Sequence, residues 1–285
     1  MQARGRPLLF AAMALVVIMA FTSAQQDNTP TAIDRAALYV AEFVNRFSRI
    51  VAEEVYIQER LEGVSTSERN VRTKQRRELT SDFLFVRTSD TADWLVLRDV
   101  RLVDRRAVRS RENTLLGLFA SSADQARALA DGLAAENARY SLSNWPGINN
   151  PLIALSLLQN EYRHRFRFTE DQSNARDDTV VVRFREQSRP TLLRVPSGGE
   201  IILQGRLWID PSTGRVSQTE LAVGTNIVIT TIFGHDSELD MDVPIEMRER
   251  YSGMFATGVA KYSKFRTFQV ETQELLQEKS KAPLP

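Results

Sequence analysis

Arg163, Arg165 and Arg167 alternate with His164, Phe166 and Phe168, and an extended chain places alternate residues on one face. If the next run, Thr179 to Gln187, returns beside it as a hairpin, Arg183 and Arg185 join that face. Five guanidinium groups would then form a basic stripe suited to phosphate or carboxylate groups. The alternative is a solvated outer face, partly neutralised by glutamates such as Glu186. A second basic cluster, Arg98, Arg101, Arg105, Arg106, Arg109 and Arg111, is interrupted by Asp99 and Asp104 and reads as a strand end and an exposed turn.

Acidic chemistry has one candidate segment. In HDSELDMD the carboxylates fall at Asp236, Glu238, Asp240 and Asp242. Alternate loop oxygens can hold calcium, yet the glycine and distal glutamate of an EF-hand are missing. The segment therefore reads as a polar hairpin tip, and no metal is expected. The chain holds two histidines, His164 and His235, with neither a helical two-histidine zinc motif nor a Gly-x-Ser-x-Gly elbow. The absence of cysteine removes thiol nucleophiles, disulfides and thiolate metal sites together. No catalytic residue, enzyme activity or cofactor is expected.

These residues stand on elements that the rest of the sequence outlines. Arg4 and Arg6, the apolar run Leu8 to Phe21 and the small residues Thr22-Ser23-Ala24 read as an export signal over residues 1–24, cleaved after Ala24. The run is about 14 residues, short of the roughly 20 that span a bilayer, and an uncleaved anchor is the alternative. The mature chain would lie in the periplasm or be secreted. Losing two arginines turns 37 basic and 36 acidic residues into a near-neutral chain with no general attraction for nucleic acid. Residues 25–31 and 271–285 read as loose ends flanking one domain, 32–270.

Thr31 caps a helix with Asp34 three residues on. Leu38, Ala41, Val44, Phe47, Ile50 and Val51 recur behind it at helical spacing. Val55 to Arg60 looks like a first strand. Two extended segments follow, then a helical region through Ala126, Leu129, Ala130 and Leu133, and a short helix after Pro151. From Tyr162 onward the chain reads as strand after strand, with Asp210-Pro211-Ser212-Thr213-Gly214 as a tight connection. Short connections force antiparallel neighbours. The expected fold class is α+β: a broad curved antiparallel sheet, an incomplete β-barrel, with helices packed on one side.

A sheet with one wet face should alternate apolar and polar residues, but Phe83-Leu84-Phe85-Val86, Trp94-Leu95-Val96-Leu97 and Ile227-Val228-Ile229 are apolar on both faces. Either they are central strands of a filled core, or the curved sheet encloses a ligand space. Phe83, Phe85, Trp94, Trp208, Ile229 and Phe233 are the candidate cavity residues. Gly205, Trp208, Asp210, Pro211 and Gly214, followed by Val243-Pro244-Ile245 and Tyr262-Ser263-Lys264-Phe265, resemble the back half of the periplasmic lipoprotein-carrier (LolA-like) fold. The order of elements from Ala32 to Val270 fits that fold as well. The resemblance implies an incomplete barrel closed by helices over an apolar cavity, with a lipid or a lipoprotein acyl chain as partner. It assigns no functional residue here. An exported binding domain for an apolar or lipid-like ligand is thus the leading expectation. An envelope protein-interaction or structural module, with a protein partner, is the alternative.

Overall fold

The computed structural model describes residues 31–48, 50–66, 69–87, 94–108, 123–142, 150–171, 178–194 and 199–267, with backbone alone at some positions, Trp94 among them. The export signal, the segment before Thr31 and the tail after residue 270 lie outside the described residues.

The first helix, α1 (Ala32–Phe47), starts where the sequence sets its cap: the Asp34 amide donates to Thr31 Oγ1 at 3.2 Å, and the Thr31 amide donates to Asp34 Oδ2 at 3.0 Å. This reciprocal pair satisfies two amides at the helix start. Its buried stripe is Ala36, Val40, Phe43, Val44 and Phe47, with Ala32 and Ala37 beside it. Leu38 is 71 % exposed and Ala41 also faces solvent, which corrects the stripe expected from spacing. Ile50 and Val51 already belong to the first strand, so extending the helical period past Phe47 rotated the apparent apolar face.

The chain then runs through β1 (Ile50–Thr66), β2 (Arg69–Arg87), β3 (Trp94–Val103) and β4 (Arg106–Ala107). Three helices follow: α2 (Ala123–Ala138), α3 (Ile153–Ser156) and α4 (Asn160–Arg163). The remaining strands are β5 (Phe166–Glu170), β6 (Val180–Glu186), β7 (Leu193–Arg194), β8 (Glu200–Ile201), β9 (Leu203–Ile209), β10 (Val216–Val223), β11 (Ile227–Asp236), β12 (Met241–Tyr251) and β13 (Ala256–Thr267). Eleven of them form one open antiparallel sheet in the order β4-β3-β2-β1-β13-β12-β11-β10-β9-β6-β5, while β7 and β8 pair separately. The α+β class and the incomplete barrel are therefore observed.

The pairing of β1 with β13 joins the two ends of the fold. Its register sets Glu54 opposite Tyr262, Tyr56 opposite Ala260 and Gln58 opposite Gly258. Period-2 alternation gives the sheet an inner face under α1 and an outer face. Phe83, Phe85, Ile229 and Phe233 are core residues. Leu84 and Leu97 point the other way and are buried as well, so this part of the sheet is covered on both faces, as its two-sided apolar pattern requires. Val228 is half-buried, so the covering is lighter over β11.

One expectation fails locally. The segment YRHRFRF is not one strand: the Arg163 amide donates to the Gln159 carbonyl at 2.8 Å and the Arg165 amide to the Tyr162 carbonyl at 2.9 Å. These bonds close α4 and a turn, and β5 begins only at Phe166. Arg163 and Arg165 therefore do not share a strand face with Arg167.

Candidate functional site

Among the described residues, three places gather chemically capable side chains. The first is a buried polar ensemble at the seam between β1 and β13. Glu54 is 0 % exposed and takes two bonds from Arg98, one of them Nη2 to Oε1 at 2.7 Å. The guanidinium lies 5.7 Å from the Phe83 ring centre and 6.0 Å from that of Tyr56, within reach of a cation–π attraction. Tyr56 donates a short bond to Glu249 Oε2, and Tyr251 and Tyr262 stand beside Glu249 and Glu54.

The electrostatics follow from burial. Desolvation raises the Glu249 carboxyl above its ordinary value of 4.5, although the Tyr56 hydroxyl and the Arg98 charge pull the other way. Burial and the neighbouring carboxylates push the hydroxyls of Tyr56, Tyr251 and Tyr262 well up, so they remain donors. Desolvation alone would lower the Arg98 guanidinium, but the Glu54 charge outweighs it and holds Arg98 protonated. Two carboxylates thus share one arginine. A void of about 10 Å³ beside Tyr56, Gln58 and Tyr251 has room for one water. The end of α2 and the segment after it cover this ensemble: Gln58 bonds Ser141 Oγ at 3.0 Å and accepts from the Leu142 amide at 2.7 Å, and Asn137 of α2 donates to the Arg98 carbonyl. Sequence reasoning read the cluster that Arg98 opens as a strand end and an exposed turn, because its run of arginines looks like surface. The structure turns it inward.

A recess of about 220 Å³ between α1 and the β11–β12 hairpin is lined by Tyr39, Glu42, Arg46, His235, Asp240 and Asp242, among others. Its groups are mutually engaged. Tyr39 donates to Asp242 at 3.0 Å, Asp242 also meets Arg215 at 2.7 Å, and Arg46 bonds the carbonyls of Leu239 and Asp240. Burial raises the Tyr39 hydroxyl, then the Asp242 charge raises it further, which makes it a poor nucleophile. His235 lies 3.7 Å from Asp240 in an exposed pair. The recess therefore offers proton carriers without an activated nucleophile. His164 is exposed on the turn after α4. Among the described residues no three histidine or acidic side chains converge on a metal position.

The third place is a groove of about 520 Å³ on the outer face of β5, β6 and β9, lined by Arg167, Arg183, Arg185 and Arg206 with Gln187 and Gln204. Three arginines of the expected stripe come together here. Arg206 joins them from β9, a residue that alternation along Leu203–Ile209 could have supplied. Arg163 instead pairs with Asp34 of α1, and Arg165 with the buried Glu186 at 3.7 Å.

Of the candidate cavity residues, Phe83, Phe85, Ile229 and Phe233 face inward. There Phe85 lies 6.1 Å from Phe47 and Phe233 lies 6.2 Å from Phe43, ring centre to ring centre. Trp208 shares the outer parity of Gln204 and Arg206 and is half-buried, so it stands on the opposite face from these four. The Trp94 side chain lies outside the described residues.

The hairpin between β9 and β10 serves α1. Asp210 Oδ1 accepts the Ser212 hydroxyl at 2.6 Å and amide at 2.8 Å, which hold its carboxyl at about 2 and shape the turn. Gly214, at φ 78°, closes the turn against the backbone of Arg35, where a Cβ would stand 2.3 Å from the Arg35 carbonyl carbon.

No protein-family model matches the chain, and no curated protein aligns with it. Solved structures do. The chain is similar to a DUF1329 family protein from Desulfovibrio piger, with a TM-score of 0.38 and 10 % identity over 84 % of this chain and 93 % of that one. It is also similar to a domain described as an outer membrane lipoprotein-sorting protein from Vibrio parahaemolyticus, with a TM-score of 0.36 and 11 % identity over 85 % of this chain and 96 % of that one.

Proposed function

We propose that this chain is an exported, non-enzymatic binding domain of the periplasm or extracellular space that takes an apolar, lipid-like ligand on the inner face of its sheet. The observation that carries the reading is what closes that face. Under α1 it is aromatic and aliphatic, and the cover is a helix whose Phe43 and Phe47 stack at 5.1 Å and reach the Phe233 and Phe85 rings. The helix occupies the space a ligand would take. Its polar ties lie at the rim: Asp34 to Arg163, Tyr39 to Asp242, and Arg46 to two carbonyls of the β11–β12 turn.

The energies are commensurate. Lifting α1 exposes four large apolar side chains, Val40, Phe43, Val44 and Phe47, at ~1.5–3 kcal/mol each, about 6–12 kcal/mol in all. A chain of about fourteen methylenes at ~0.8 kcal/mol each returns about 11 kcal/mol. A long acyl chain can therefore substitute for the helix, whereas a small apolar molecule cannot.

The test is direct. Purified chain beginning at Gln25 is compared by native and denaturing mass spectrometry, beside an organic extract, and then titrated with a fluorescent long-chain fatty acid. A co-purifying lipid, or saturable uptake of the probe, supports the reading. An empty protein that takes up no probe refutes it and leaves the protein-interaction or structural module as the working description.

A further inference from the structure

We infer that the outer groove over β5, β6 and β9 is a binding site for a phosphate monoester, separate from the inner face and independent of what that face holds. The register makes the case. Arg167 stands directly opposite Arg185, and Arg183 directly opposite Arg206. Like charges set opposite each other on neighbouring strands are unfavourable, and here two such pairs adjoin. Solvated sheet faces relieve this cost by alternating sign. This one does so only in part: Arg183 meets Asp171 at 3.6 Å and Arg206 meets Glu220 at 3.8 Å. Among the described residues no carboxylate pairs with Arg167 or Arg185.

Charge and shape select the ligand. Four guanidiniums against two carboxylates leave an excess of two positive charges, and one phosphate monoester carries about −1.5 to −2 at neutral pH. The guanidinium fork matches phosphate oxygens in pairs. Alternate residues on a strand are about 6.6 Å apart and neighbouring strands about 4.8 Å, so a phosphate placed between the two arginine pairs lies within reach of both. Ala222 forms part of the wall, where a longer side chain would fill the groove. The remaining volume accommodates the organic group of the ester. Gln187 and Gln204 supply neutral donors at the margin.

The same headgroup chemistry occurs on a soluble metabolite and on a lipid, and the experiment separates the two. The mature chain is titrated calorimetrically with glycerol 3-phosphate and, in a second arm, sedimented with phosphatidylcholine vesicles with and without phosphatidic acid. Saturable binding of the soluble ester supports a soluble ligand. Recruitment by phosphatidic acid alone supports a headgroup site. In either case the Arg167→Gln/Arg185→Gln variant is expected to bind at least tenfold more weakly while its unliganded melting temperature is unchanged or raised, because a like-charge pair has been removed. A ligand-induced rise in melting temperature should appear in the wild type and vanish in the variant. Failure of both probes to bind, or binding that the double variant retains in full, overturns the assignment. Neither outcome bears on acyl uptake beneath α1, which the mass-spectrometric test reads separately.

Discussion

Replacing Arg98 with methionine removes the counter-charge of Glu54 and leaves a carboxylate that is 0 % exposed. Breaking a buried ion pair from one side costs ~3–5 kcal/mol. The neighbours give the prediction a direction. Glu249 already feels the Arg98 charge, so deleting the arginine strips support from two carboxylates at once. Deleting Glu54 instead leaves Arg98 with Glu249 nearby. Arg98→Met should therefore cost more than Glu54→Leu, and the double variant should cost less than Arg98→Met alone, since an apolar pair can replace a buried ion pair at little loss. Urea unfolding followed by circular dichroism reads the difference. With a slope of ~3 kcal/mol per molar for a chain of this size, the midpoint of Arg98→Met should fall by about 1–1.7 M. A loss below about 1 kcal/mol for Arg98→Met, against the ~3–5 kcal/mol of a broken buried pair, would refute the reasoning. So would a larger loss for Glu54→Leu.

Glu249→Gln tests the second carboxylate. Its folded value is raised by burial, so its contribution to stability is full below the ordinary value of 4.5 and declines as the pH rises through the raised one. The variant should lose that decline, gaining on the wild type between pH 4 and pH 8 in parallel urea titrations. Gly258→Ala would put a Cβ 2.6 Å from the Tyr56 hydroxyl and 2.7 Å from Glu249 Oε2. It should cost ~1–3 kcal/mol by overpacking and remove the same pH effect, measured in the same titration. Phe47→Ala should cost ~3–5 kcal/mol, and a long-chain fatty acid that fills the vacated space should restore part of that loss in a thermal melt. Gly214→Ala, with φ 78° and the Arg35 backbone in the way, should speed amide exchange in the first turns of α1 more than in β12.

What was legible in the sequence is what short range decides. The α1 cap needs only Thr31 and Asp34, and the β9–β10 turn needs only Asp210, Ser212 and Gly214. Two-sided apolar strands announced a sheet covered on both faces, and Phe83, Leu84, Phe85 and Leu97 are buried as that pattern requires. The polar seam was not legible, because its members are brought together by register: Glu54 and Arg98 are 44 residues apart, Tyr56 and Glu249 are 193. Nothing local distinguishes Arg98 from the exposed Arg105. The arginine stripe was half legible for a related reason. Alternation alone could not tell that Gln159 carbonyl bonds would wind Arg163 into a helix, nor that β9 would bring Arg206 beside Arg183.

The inner face is divided, and the division bears on which cover can move. Toward β1, β2 and β3 it is polar and clamped by residues 139–142: the Arg77 guanidinium bonds the Tyr140 carbonyl, and Gln58 bonds Ser141 and Leu142. A one-residue slip of β1 against β13 would turn Glu54, Tyr56 and Gln58 to the outer face and leave their partners buried without them, so this half fixes the register and resists opening. Around Phe233 of β11 and Phe85, at the far end of β2 from Arg77, the face is aromatic, and α1 covers it through side-chain packing with polar ties at its margin. Packing without direction can be exchanged for other apolar matter, since burial is roughly proportional to area and indifferent to what supplies it. A ligand cannot displace a buried ion pair that way, because both charges stay on the chain and would lose their partners. The architecture thus separates a half that holds the strands in place from a half covered by apolar packing, and the proposed apolar ligand would bind in the second.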